Sequence, residues 1–203
     1  MPAVSEEIGL SLPVNDAALK VMRALERLNV RCYLCGSLAS SVHGLPRLTN
    51  DADIVAELGP HHVKGLVRQL AGAFYVDEEA VAEAIATERS FNLVDEVEAV
   101  KVDVFCAGAD RYQQEAFART VRFPLEEDDP FTEVAFASVE DTVVFKLHWF
   151  RLGGEVSERQ WADVLGILRL KKSAVDLEYA RRWSKHFRAD DLLERALEAA
   201  KAP

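Results

Sequence analysis

The sequence is short of cysteine, of positive charge and of long apolar runs. Three cysteines in 203 residues are too few for a disulfide framework, so a reducing compartment is the default expectation. No apolar run approaches the roughly 20 residues of a membrane-spanning helix. The opening MPAVSEEIGL lacks the basic start and apolar stretch of a secretory leader. A cytoplasmic protein with no membrane partner is therefore expected. Basic side chains number 24 against 34 acidic ones, a formal net charge of −10. That balance excludes the global basic surface of a protein that coats nucleic acid, though not a local basic patch. Internal repeats and low-complexity tracts are also lacking.

What is present is core-forming material. Hydrophobic residues make up 49% of the chain, with 10 Phe, 4 Tyr and 3 Trp, apolar surface that disordered chains do not carry. The length fits one domain, or one domain with a small appendage. After a loose lead-in over 1–13, Ala18, Val21, Met22, Leu25 and Leu28 recur at helical spacing behind an N-cap at Asn15 or Asp16. A short strand over 32–35 then leads to a helix over 38–43, and alternation marks a strand over 51–58. A helix opens at Pro60 and another spans 78–88. Strands follow over 91–94 and 99–106, then a helix near 111–118. Two more strands, 119–125 and 133–136, flank the polar turn EEDDP, and 138–203 read as helix. This order predicts an α+β (α/β) core over 15–137 and a C-terminal helical subdomain over 138–203.

The chemistry concentrates in Gly36 to Ile54, GSLASSVHGLPRLTNDADI. Asp51 and Asp53 stand two apart on a strand, so both carboxylates leave one face. Such a pair can bridge divalent metals, and Mg²⁺ favours one or two carboxylates plus substrate phosphates. A later strand carries an isolated acid between apolar neighbours, Val102-Asp103-Val104. Placed beside the first strand, Asp103 lies roughly 5 Å from one of the pair. Three acids so arranged form a cradle for two metals about 3.5–4 Å apart, suited to in-line displacement at phosphorus. Gly36-Ser37 stand where strand turns to helix, and their N–H groups and hydroxyl can hold a phosphate.

These residues carry a resemblance. Apolar-Gly-Ser, thirteen intervening residues, Asp-x-Asp-apolar and a later apolar-Asp-apolar resemble the DNA polymerase β-like nucleotidyltransferase superfamily. The linker Pro46-Arg47-Leu48-Thr49-Asn50-Asp51 and the run SVEDTVVFK, ending at Lys146, are similar to a small bacterial group that includes the type IV abortive-infection toxins. The similarity spans roughly residues 30–168. Ala52 departs from the pattern, where a larger aliphatic residue is usual. The resemblance implies a short mixed β-sheet flanked by helices, with Asp51, Asp53 and Asp103 as metal-binding catalytic residues. It implies two Mg²⁺ ions and a nucleoside triphosphate held by Gly36, Ser37 and Lys146. The acceptor hydroxyl would belong to an RNA end, a protein or a small molecule.

Other readings of the same residues stand beside this one. Asp-x-Asp alone also occurs on solvated edge strands. A haloacid-dehalogenase phosphatase sets its first Asp at the end of an apolar strand, unlike Leu48-Thr49-Asn50. A nucleotide-sugar glycosyltransferase does not require the upstream Gly-Ser. Ser37 either caps its helix or holds phosphate, Arg47 is a loop residue or a phosphate contact, and Lys146 either snorkels or enters the cleft. Cys32 and Cys35, three apart on a strand, point to opposite faces and read as reduced thiols. The tail between Arg169 and Arg188 is basic. It reads as a solvated helix face, as a partner for the acidic core, or as an RNA-end patch with Tyr179, Trp183 or Phe187 for stacking. A non-catalytic nucleotidyltransferase-like binding module, one half of a toxin–antitoxin pair with a protein partner, is the alternative from another class.

Overall fold

The computed structural model describes residues 13–125, 132–171 and 174–201. Its frame is set by two strands whose even-numbered residues face the core, β2 (Asp51–Ala56) and β5 (Lys101–Cys106). Ala52, Ile54, Ala56, Val102, Val104 and Cys106 are all buried. The odd-numbered residues therefore share the opposite face, as the period of two requires. The strands run parallel, with Asp51 opposite Lys101, Ala52 opposite Val102 and Asp53 opposite Asp103.

Parallel neighbours need a crossover. Here residues 57–100 provide it: a 3₁₀ turn (Pro60–His62), α3 (Val63–Leu70), β3 (Phe74–Tyr75), α4 (Glu78–Ala86) and β4 (Ser90–Asp95). The tight turn from β4 back into β5 is organised by buried Asp95. Its carboxylate accepts the Val97 and Glu98 N–H groups at 2.9 and 3.0 Å and pairs with Lys20 at 3.0 Å. Burial alone would raise this acid, but the two N–H bonds and the ammonium outweigh it and hold Asp95 below the usual range.

On the other side of β2 lies β1 (Cys32–Leu34), antiparallel to it. Next come β7 (Glu133–Phe136), parallel to β1, and β6 (Val121–Pro124), antiparallel to β7. The seven-stranded mixed sheet runs β3-β4-β5-β2-β1-β7-β6. Helix α1 (Pro13–Arg27) opens on a proline, whose missing N–H costs nothing in a first turn. It packs on β1, β2 and β5 through Val14, Ala17, Ala18, Val21, Met22 and Leu25. The remaining helices are α2 (Gly36–His43), α5 (Arg111–Ala118), α6 (Val139–Leu152), α7 (Glu158–Lys171), α8 (Leu177–His186) and α9 (Asp190–Ala199). Helix α6 is packed by α2, α7, α8 and α9, which explains why its sequence is apolar on several sides at once.

The expected α+β class is what the structure has, with small differences at element ends. Cys35 leaves the first strand because it is the N-cap of α2. Strand β2 stops at Ala56, and the two-residue β3 carries too short a signal for its pattern to be read. The helical tail is broken at Gly153 and Gly154, the latter at φ +73°, and again before α8 and α9. The EEDDP turn and nearly all of the lead-in lie outside the described residues. No described helix is long and apolar enough to cross a membrane.

Candidate active site

The odd-numbered face of β2 and β5 gathers four charged side chains: Asp51, Asp53, Lys101 and Asp103. Asp53 and Asp103 are direct partners across the parallel ladder, so the neighbouring strand inferred for Asp103 is the one observed. Asp51 is exposed at the strand's entry and accepts the Thr49 hydroxyl at 2.6 Å. Asp103 is held by Lys101 Nζ at 2.7 Å, a contact between residues two apart on one strand face. Burial, then the charges of Asp51 and Asp103, push the Asp53 carboxyl up to about 6, against smaller opposing effects of Lys146 and Lys101. Asp103 in turn holds the Lys101 ammonium above its ordinary value through their hydrogen bond, against a smaller lowering from burial.

Gly36 completes this corner. Its φ of +58° places it in the left-handed region, and a Cβ there would come within 1.8 Å of Asp53 Oδ2. The missing side chain is what leaves the Asp53 carboxylate uncovered. Cys35 N–H donates to the Asp53 carbonyl at 2.9 Å, tying the start of α2 to β2. Cys35 caps α2 without a side-chain hydrogen bond, so the first-turn N–H groups are free of that competitor, the arrangement that suits an anion.

A cavity of about 370 Å³ opens here, lined by Gly36, Ser37, Arg47, Asp51, Asp53 and Lys146 at one end. Its other wall is aromatic, with Tyr33, Phe105, Tyr112, Phe145 and Trp149, and includes Asp141. Six of the seven residues singled out in the sequence thus share one cavity wall, and Asp103 stands beside it as Asp53's partner. Lys146 enters the cleft rather than snorkelling. Its Nζ donates to Asp163 Oδ2 at 2.7 Å, with both side chains under one-tenth exposed. Arg47 reaches the same carboxylate, Nε to Asp163 Oδ1 at 3.0 Å and Nη2 to Oδ2 at 3.1 Å, and donates to Ser37 Oγ at 2.5 Å. Burial works to raise Asp163, but its bonds from Arg47 and Lys146 win and hold it below the usual range.

Sequence reasoning missed three members of this surround. Lys101 was legible, since a residue two before Asp103 on a strand must share its face. Asp163 is an acid inside the apolar period of α7, a signal open to many readings. Asp141 is nine-tenths buried. It accepts Ser138 Oγ at 2.6 Å and the Tyr179 hydroxyl at 2.8 Å, and burial raises it against those bonds. Its position at the third residue of a capped helix start hid that role.

The stacking role considered for the tail does not hold for two of its aromatics. Tyr179 and Trp183 are buried, in an aromatic cluster with Tyr112 and Phe187. Arg181 pairs with Glu194 and Arg182 with Glu115, so these basic residues serve acidic neighbours; Lys172 lies outside the described residues. His43 Nε2–H donates to the Ala137 carbonyl at 2.8 Å. Cys32, Cys35 and Cys106 are free thiols.

Among the described residues, no group of three or more His, Cys, Asp and Glu side chains is arranged to hold a metal ion. Asp53 and Asp103 are neighbours in register, Asp51 stands on the same strand face, and Asp103 is engaged by Lys101. Asp51 and Asp53 do fit a hard divalent cation. They offer carboxylate oxygens on one strand face, one of them destabilised by its neighbours and left uncovered by Gly36.

This arrangement of a mixed sheet, with its acids on adjacent parallel strands and a Gly-Ser helix start against them, has the fold seen in solved nucleotidyltransferase structures. Solved structures agree on the fold. The antibiotic-resistance factor ANT(2″)-Ia in solution shares 14% identity at TM-score 0.51, covering 91% of this chain and 97% of that one. ANT(2″)-Ia in complex with adenylyl-2″-tobramycin shares 16% at TM-score 0.53, covering 86% and 96%. An antigenic nucleotidyltransferase-like protein from Paracoccidioides brasiliensis shares 17% at TM-score 0.53, covering 94% of each chain. No protein-family model and no curated protein matches the sequence.

Proposed function

We propose that this protein is a nucleotidyltransferase that moves a nucleoside monophosphate from a nucleoside triphosphate to an acceptor hydroxyl. The observation that carries the reading is Asp53, paired in register with Asp103 and pressed against a side-chain-free Gly36 at the mouth of a cavity that Arg47 and Lys146 also line. Asp51 and Asp53 would hold the divalent cation, Mg²⁺, which supplies Lewis-acid charge at the α-phosphoryl oxygens. The first-turn N–H groups of α2 and the Ser37 hydroxyl hold the β- and γ-phosphates. Arg47 and Lys146 turn from Asp163 to the triphosphate and balance its charge. Asp103 accepts the acceptor's hydroxyl proton as the new oxygen–phosphorus bond forms and the bond to pyrophosphate breaks.

A small molecule is the acceptor class that best suits the cleft. A half-open cleft of about 370 Å³ with an aromatic wall and a buried carboxylate has the dimensions of small-ligand sites, and the acidic surface favours a cationic acceptor over RNA. The structural likeness to ANT(2″)-Ia bound to adenylyl-2″-tobramycin supports the same class. The test is incubation with each labelled nucleoside triphosphate and Mg²⁺, against hydroxylated amines, RNA and protein extract in turn. Transfer to an amine by the native protein, and none by Asp53→Asn, is the expected result. Label on RNA ends instead would favour the toxin-like reading. Nucleotide binding without transfer to anything would make the protein a binding module and end the enzymatic proposal.

A further inference from the structure

The face shared by β2 and β5 holds three carboxylates and one ammonium, and that ammonium is not placed evenly among them. Lys101 stands opposite Asp51 in the ladder, yet its Nζ lies 2.7 Å from Asp103 Oδ2. The Asp103 side chain is only 15% exposed whereas Lys101 is 46% exposed. The lysine stem therefore reaches in from solvent to a carboxylate that is mostly covered. Next to Asp103 on its other side is Asn92 of β4, a neutral side chain, so Lys101 is the cation on this part of the face. Asp51 and Asp53, by contrast, open into the cavity.

We propose that Lys101 is a built-in counter-ion that reserves Asp103, so that the free protein takes its divalent cation on Asp51 and Asp53 without Asp103. This rests on the reading of Asp51 and Asp53 as cation ligands. Two physical points carry it. A carboxylate oxygen already accepting a charge-assisted hydrogen bond must give that bond up before it can coordinate an ion. In addition, with Asp103 matched by Lys101 and Lys146 hydrogen-bonded to Asp163, the carboxylates on this face without a hydrogen-bonded cation are Asp51 and Asp53, whose combined charge a single divalent ion matches. Asp103 becomes available to a second ion, or to an acceptor proton, only when Lys101 swings out to the solvent it already borders. Phosphates arriving with a nucleotide give the ammonium another partner. Lys101 is thus a positioning residue that sets the order of loading.

The experiment is a double-mutant cycle on Mn²⁺ affinity without nucleotide, read by calorimetry and by the spin-resonance signal of free Mn²⁺. The native protein, Lys101→Met, Asp103→Asn and the double variant are compared. Asp103→Asn is expected to change affinity less than about threefold in the native background, because Asp103 is not a ligand there. In the Lys101→Met background the same change should weaken binding at least tenfold, about 1.4 kcal/mol, because the freed carboxylate has joined the ion. Lys101→Arg, which keeps the pair, should behave as native. Simple charge repulsion predicts instead that Asp103→Asn has the same effect in both backgrounds, and that additive result would overturn the proposal. Failure of all four proteins to bind Mn²⁺ would also overturn it, together with the cation-site reading beneath it, so the two failures are distinguishable. Lys101 is half exposed and outside the core, and unchanged melting curves in the absence of metal verify that the variants fold.

Discussion

At the scale of single residues, the site trades stability for charge. Asp53 stands at about 6, above its ordinary 3.8, so between those values the native state holds more of its protons than the unfolded chain does. Stability therefore falls as pH rises through that window, and the full cost is present at neutral pH. The displacement corresponds to on the order of 3 kcal/mol. Asp53→Asn should accordingly unfold at higher temperature than the native protein at pH 7 in the absence of divalent ions. The advantage should shrink as pH falls from about 6 to 4 and vanish near pH 3, below both values, where Asp53 is neutral in both states. Parallel thermal melts at the two pH values check this. An equal melting point at pH 7 would show that neither burial nor the neighbouring acids penalise the Asp53 charge. The pairing of Arg47 and Lys146 on Asp163 works in the opposite direction, since it keeps two cleft cations matched where burial would otherwise penalise them.

Elements decide where those charges sit, and here the sequence was readable to different depths. The period of two in DADIVA and KVDVFC states which face each aspartate takes. The fold class, the Asp53–Asp103 adjacency and the Gly36–Ser37 turn could all be reasoned from that pattern and from chain order. Strand β3 could not, because two residues carry no period. Asp163 was equally hidden, because its meaning depends on α7 crossing the loop that bears Arg47, a contact between residues 116 positions apart. The Lys101–Asp103 pair was within reach of the same alternation rule. The start of α2 gives the sharpest test at this scale. Gly36→Ala adds a methyl where Asp53 Oδ2 already lies 1.8 Å away, on a residue with φ +58°. A left-handed non-glycine residue costs about 1–3 kcal/mol, and the carboxylate must move as well. The variant should be destabilised by an amount in that range, read from denaturant unfolding, and lose nucleotide transfer altogether. Retained transfer would mean that the close approach of α2 to β2 has no part in the chemistry.

For the molecule as a whole, the apolar core runs without a break from Val14 in α1 to Leu197 in α9. We propose the division at residue 137 as one of labour: residues 15–137 supply Asp51, Asp53 and Asp103, and 138–203 supply Lys146 and Asp163. Folding should not respect it, because Val143, Val144 and Leu147 of α6 are fully buried and their removal would bare a large apolar surface. A chain ending at Ala137 is expected to show no cooperative unfolding. The intact chain should show one transition, coincident by far-ultraviolet circular dichroism and by tryptophan fluorescence, since Trp149, Trp161 and Trp183 all lie beyond the division. Two separated transitions would refute the single core.

The alternation along β5 also governs which genetic changes the protein can survive. Deleting or inserting one residue just ahead of Lys101 would rotate the strand by half a turn of its pleat, sending Asp103 into the oil beneath α1 and Val104 out toward the cleft. Architecture and chemistry are written in the same reading frame there. Length variation in this lineage should accumulate in the crossover's connections and spare the residues immediately flanking the strand.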